Sequence, residues 1–159
     1  MPSSLPLDPA DIPKFVDPLP IPATLKPTGN SKNAASYKVT MSEFQQQVLP
    51  ASFPATTVWG YEGSFPGPTI EARKDKPVKV KWINELPLSH MLPVDITLNG
   101  TDKGDTEVKT VVHLHGAHTK PQFDGYPEDW YASNDSIMNR ILIWPWICND
   151  HNLRFNVIF

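Results

Sequence analysis

Two histidines one residue apart, in His113-Leu114-His115-Gly116-Ala117, are the residues of this chain best suited to chemistry. They close the run Val108-Lys109-Thr110-Val111-Val112-His113-Leu114-His115, whose period-two alternation sends Val108, Val112 and Leu114 to one face and both imidazoles to the other. Imidazole is the commonest protein metal ligand and suits copper, zinc, iron or nickel, so the pair predicts a metal half-site and leaves the metal open. The bland alternative is an exposed polar strand edge. A carboxylate follows in Phe123-Asp124-Gly125-Tyr126, where Asp124 reads either as a proton relay or as a turn aspartate ahead of a glycine.

The remaining candidates carry less. His118 reads as a loop residue on the surface, and His90 as a loop residue with at most a hydrogen-bonding role. Glu128 and Asp129 read as surface acids. Cys148 is the only cysteine, which excludes an internal disulfide.

These residues need a scaffold, and the scaffold reads as β structure. Pro77-Val78-Lys79-Val80-Lys81-Trp82 alternates apolar and basic residues, the pattern of a strand with one buried and one wet face. Further strands are expected over Tyr37 to Met41, Gln46 to Leu49, Thr57 to Tyr61, Thr69 to Ala72 and Val108 to His115, separated by turn-forming Pro, Gly, Asn and Asp. That rhythm predicts an all-β Greek-key sandwich or barrel. Phe65-Pro66-Gly67-Pro68, with two prolines fixing φ around a glycine, forms a stiff lead into the strand at Thr69. Asn99-Gly100-Thr101 is formally an N-glycosylation acceptor and is assigned no function.

Residues 1–30 hold eight of the 18 prolines, which removes backbone donors and favours an extended polyproline-like arm. Phe15, Val16, Leu19, Ile21 and Leu25 give it apolar handholds. We therefore divide the chain into a Pro-rich N-terminal arm, 1–34, and a single domain, 35–159. A length of 159 residues suffices for one domain with a sizeable core. A net charge of −3, without a Lys/Arg cluster, points to neither nucleic acid nor an anionic membrane as partner. Neither a secretory signal nor a membrane-spanning run is legible, so synthesis in the cytoplasm is expected.

Three segments in the same order, Trp59-Gly60-Tyr61-Glu62-Gly63-Ser64-Phe65-Pro66-Gly67-Pro68-Thr69-Ile70, His113-Leu114-His115-Gly116 and Phe123-Asp124-Gly125-Tyr126-Pro127-Glu128-Asp129, closely resemble the first domain of multicopper oxidases. The nearest likeness is to bacterial spore-coat-type laccases and their bilirubin oxidase relatives. Lys14 to Pro22 and His90 to Asp95 extend it, so that it runs from about Phe15 to about Asp135. The resemblance implies a cupredoxin-like fold, with the arm packed against the body, and copper as cofactor. His113 would bind a type 2 copper, His115 one of the paired type 3 coppers, and Asp124 would lie near the copper-bound water. It also implies a phenolic or other aromatic electron donor, reduction of dioxygen to water, and a place in the spore coat.

The chain departs from that pattern in four respects. Laccases of the family have three cupredoxin domains, and this chain has the length of one. It lacks the late His-Cys-His motif of a type 1 site, because Cys148 in Trp146-Ile147-Cys148-Asn149-Asp150 has no histidine beside it. The family's second motif, Trp-x-His-Asp-His, is reduced to Asn149-Asp150-His151, which leaves His151 as a displaced type 3 candidate. From Ser136 onward glycine and alanine vanish while Ile and Asn become frequent. A truncated or frame-shifted end is one reading of that break. A divergent strand pair, Arg140 to Trp144 and Leu153 to Phe159, is the other.

Two functions of different class follow. One is a laccase-type oxidase or its first domain. The other is a non-catalytic copper-binding or structural fragment, in which two imidazoles make half a site and self-association supplies the rest.

Overall fold

The computed structural model describes residues 7–31, 34–73, 76–98, 101, 108–114, 124–141 and 152–156. Its strands are β1 (Gly29–Ser31), β2 (Ala34–Gln46), β3 (Thr56–Tyr61), β4 (Thr69–Arg73), β5 (Val78–Glu85), β6 (Ser136–Ile141) and β7 (Asn152–Asn156), preceded by one 3-10 turn at Pro9–Asp11. Among the described residues no helix is long and apolar enough to cross a membrane.

The long β2 organises the larger sheet. One edge pairs antiparallel with β1 and β3, and the other pairs parallel with β5, with Val39 opposite Trp82. β6 runs antiparallel to β5, while β4 and β7 form a second, two-stranded sheet. The two sheets face each other across a single core of Tyr37, Val39, Met41, Tyr61, Ile70, Ala72, Val78, Val80 and Trp82, joined by Leu86, Val108 and Tyr131. This is the expected all-β sandwich.

Alternation decides which side chains enter that core. Along β5, Val78, Val80 and Trp82 are buried while Lys79 and Lys81 are exposed, as the two-residue period predicts. The edge of Trp82 meets the ring of Tyr61, centroids 5.7 Å apart, in the geometry that the ring quadrupoles favour. Between β3 and β4, Glu62 and Gly63 both have positive φ, the signature of a type I′ turn, closed by hydrogen bonds between Tyr61 and Ser64. The Glu62 backbone N–H donates to the Thr40 carbonyl and its carboxylate accepts from the Thr40 N–H, fixing the turn to β2.

Three expectations need correction. No separate strand forms over Gln46 to Leu49. Gln46 ends β2, and the Gln47 side-chain amide donates to the carbonyls of Leu49, Pro50 and Phe53, which commits the chain to a turn. Among the described residues the run from Val108 onward makes single bridges at Thr110 and His113 in place of a ladder. The arm is pinned at its end, where Leu25 N–H donates to the Thr69 carbonyl and Thr69 N–H to that of Ala23. Of the five handholds, Leu25 packs on the core, and Phe15, Val16, Leu19 and Ile21 are exposed.

From Ser136 onward the described residues form β6 and β7. β6 and β7 do not pair with each other. They pair with β5 and β4, so each sheet receives one of them.

Candidate metal centre

The site is built on a polar hub at the end of β5. Asn84 occupies the inward parity of Val78, Val80 and Trp82, and is 0% exposed. A buried amide needs partners, since leaving it unpaired costs about 1–3 kcal/mol. Its Nδ2 donates to the Val108 carbonyl at 3.1 Å and to the Thr110 hydroxyl at 3.3 Å, while its Oδ1 accepts from Leu86 N–H at 3.1 Å. Its backbone exchanges hydrogen bonds with Asn134 and Asp135. The side chain thus holds the start of the histidine-bearing segment against the end of β5, and the main chain ties in the turn before β6.

From this hub the segment runs on as predicted. Val108 is buried, Val112 and Leu114 pack partly against the core, and Val111 and His113 face outward. Its partner is the stretch 124–131, through bridges at Thr110–Tyr131 and His113–Asp124. Three positions separate Thr110 from His113, but seven separate Asp124 from Tyr131. The surplus is taken up in a turn where Asp129 N–H donates to the Tyr126 carbonyl.

That offset brings Asp124 beside His113. Its Oδ1 lies 3.4 Å from the imidazole Nδ1, with the two side chains 40% and 56% exposed. A carboxylate at Nδ1 favours the tautomer protonated there and leaves the Nε2 lone pair for a ligand. Gly125 makes the approach feasible. At φ +78° it takes a conformation that side chains rarely adopt, and a Cβ there would sit 3.0 Å from His113 Cβ and 3.3 Å from Nδ1. Nearby, the Lys109 ammonium sits 4.3 Å above the Trp130 ring, a cation–π contact beside the same segment.

Of the residues singled out from sequence, His113 and Asp124 are brought together. His115 and His151 lie outside the described residues, as do His118 and Cys148. His90 is on a surface loop, its ring tilted 40° to that of Trp59 with centroids 5.7 Å apart. Among the described residues no three His, Cys, Asp or Glu side chains converge on a common point. Copper therefore fits here as a partial ligand set: one outward imidazole with its second nitrogen turned to a carboxylate. Asn84 and Gly125 were missed as positioning residues. Asn84 carried a signal, being the one polar residue at the inward parity of β5, whereas the role of Gly125 depends on a neighbour twelve positions away.

Comparison with known proteins bears on the whole arrangement. Residues 44–108 match the family model described as multicopper oxidase. Over 123 residues the chain is 52% identical to a laccase of Bacillus subtilis, spanning 76% of this chain and 24% of the relative. It is 45% identical to a laccase of Haloferax volcanii over 126 residues, 74% of this chain and 22% of that protein. Its fold superposes on a laccase from Pediococcus acidilactici with a TM-score of 0.64 at 26% identity, over 83% of this chain and 24% of that one. A Campylobacter jejuni multicopper oxidase shares the fold, with a TM-score of 0.62 at 21% identity, over 86% of this chain and 24% of that one. The chain spans about a quarter of the length of the relatives it matches. Sequence and cupredoxin-like fold thus agree that this chain belongs to the multicopper oxidases, a family whose members bind copper.

Proposed function

We propose that this chain supplies the first histidine pair of a laccase-type copper centre, with His113 as type 2 ligand, His115 as type 3 ligand and Asp124 as the carboxylate that orients His113. The observation carrying this reading is the His113–Asp124 contact, in which a carboxylate meets Nδ1 of an outward-facing ring and so favours coordination through Nε2. Copper held by these residues would supply single-electron transfer, coupling oxidation of a phenolic or other aromatic donor to reduction of dioxygen to water. The chain's own residues hold and move protons. Asp124 keeps a proton on His113 Nδ1, and its exposed carboxylate can take up protons from solvent and hand them on through a water, as reduction of dioxygen requires. His151 is a further ligand candidate under the same proposal, and a spore-coat location follows from the same resemblance.

A second reading has its own support: a domain that binds copper without turning over by itself. Among the described residues no three metal-ligating side chains converge, and the chain spans about a quarter of the length of the laccases it matches. Two imidazoles bind copper weakly unless other groups complete the shell.

Copper titration of the full chain, followed by paramagnetic resonance and by oxygen uptake on a phenolic donor, tests both. A nitrogen-ligated cupric signal that disappears in His113→Ala and His115→Ala supports the metal site. Donor-dependent oxygen uptake lost in the same variants supports turnover. A signal unchanged in both variants would falsify the assignment.

A further inference from the structure

A second cluster of side chains lies away from His113, between β3 and the loop that follows β5. Trp59 and Phe65 line a groove of about 300 Å³ together with His90, Met91 and Leu92 of the loop. Three consecutive residues cannot share one side of a strand, because successive side chains alternate. Here the backbone bends at Leu88 and Ser89 and again at Met91 and Leu92, and all three side chains reach the same groove. The His90 imidazole lies beside the Trp59 indole, with ring centroids 5.7 Å apart. His90 and Met91 are both exposed, so an ion from solvent reaches them without any opening of the fold.

The donors in this groove are soft. Met91 offers a thioether and His90 an imidazole, and among the described residues that line the groove there is no carboxylate. Thioether sulfur serves Cu(I), whereas Mg(II) and Ca(II) call for oxygen ligands. Zinc accepts imidazole but takes at least three nitrogen, thiolate or carboxylate ligands, of which the described lining supplies one. A neutral, largely apolar lining also resists a doubly charged ion more than a singly charged one, since the desolvation cost rises steeply with charge.

Trp59 favours the same kind of occupant. An indole face attracts a cation more strongly than any other aromatic side chain. Glu43 stands directly opposite Trp59 in the register of β2 and β3, and its carboxylate accepts from the indole N–H at 2.9 Å. That bond holds the ring in place, pushes electron density into it, and sets a balancing negative charge at its edge. Phe65 is fixed in turn by Gln46, which accepts from its backbone N–H at 2.9 Å and donates to its carbonyl.

We propose that His90, Met91 and Trp59 form a site for a soft monovalent cation, Cu(I), held by imidazole nitrogen and thioether sulfur beside the indole face. Binding is coordination alone and transfers no electron. His113 does not line this groove, and the proposal does not rest on the copper reading of His113 and His115.

Silver(I), a redox-inert ion of the same charge and softness, tests the site on the full chain carrying Cys148→Ser, which removes a competing thiol. The probe is the isotope-labelled methyl resonance of Met91, identified by its loss in Met91→Leu. Stoichiometric Ag(I) should shift that resonance to saturation, Cu(I) without oxygen should do the same, and Zn(II) should leave it in place. The shift should persist when His113→Ala and His115→Ala remove the other proposed copper ligands. His90→Ala should weaken Ag(I) binding by roughly tenfold or more, and Trp59→Leu by about threefold, the scale of a part-exposed cation–π contact. The parent resonance reports on one side chain, so the test holds even if a variant misfolds. A Met91 signal that Ag(I) does not move overturns the proposal, as does one that Zn(II) moves as readily, one lost with His113 and His115, or one whose midpoint is the same in His90→Ala.

Discussion

Asn84 and Val108 are joined by a side-chain hydrogen bond of 3.1 Å that spans 24 positions of sequence. That bond, with the neighbouring one to Thr110, sets where the histidine-bearing segment begins relative to β5. Replacing Asn84 by leucine keeps the volume and removes every side-chain partner. The Val108 carbonyl and the Leu86 N–H would be left buried and unpaired. The expected loss is about 2–3 kcal/mol, read as a lower urea midpoint at unchanged slope.

Gly125 offers a paired comparison with Gly63. Both have positive φ, but a Cβ at Gly125 meets the His113 ring, whereas one at Gly63 meets nothing within 4 Å. Gly63→Ala should cost the backbone term alone, about 1 kcal/mol. Gly125→Ala should cost more and also weaken copper uptake, because the imidazole has to turn away. Equal effects of the two substitutions on copper affinity would remove Gly125 from the site.

Asp124 can be separated into its charge and its shape. Asp124→Asn keeps an oxygen that accepts from His113 Nδ1 but holds no negative charge, and Asp124→Ala keeps neither. Copper affinity should fall in the order parent, Asn, Ala, with Ala weaker by roughly 10–100-fold, the scale seen for groups that orient a metal-bound imidazole. Competition with a chelator of known affinity measures it, and an Ala variant matching the parent would contradict the orienting role.

Alkaline pH should destabilise the fold through two tyrosines. Burial raises the phenols of Tyr61 and Tyr131 to about 12, against an ordinary value of 10.0 in the unfolded chain. Above pH 10 the unfolded state therefore releases protons that the folded state retains, and stability falls as pH climbs from about 10 toward 12. Below 10 both states are protonated and the dependence vanishes. Urea midpoints across this range, compared with those of Tyr61→Phe, check the sign, the variant being expected to show the shallower decline.

Features that depend on periodicity and local chemistry could be read from the chain alone. The two-residue alternation of β5 and of the segment from Val108 to Leu114 follows from side-chain parity, so the core faces and the outward direction of His113 were legible without coordinates. Glycines, prolines and asparagines marked the strand ends for the same local reason, and the family motifs were legible as strings of residues. Features that depend on distant partners emerged only on folding. The extra residues between Asp124 and Tyr131 place a carboxylate opposite a histidine eleven positions earlier, and no period in the sequence encodes that offset. Gln47 turned an apparent strand into a turn by capturing three carbonyls, an outcome set by where the chain doubles back. Asn84 became the hub of the site because its inward position met two segments far along the chain. A residue's parity is local and can be read from its neighbours, but the partner that satisfies a buried amide or orients an imidazole is chosen only when the sheets close.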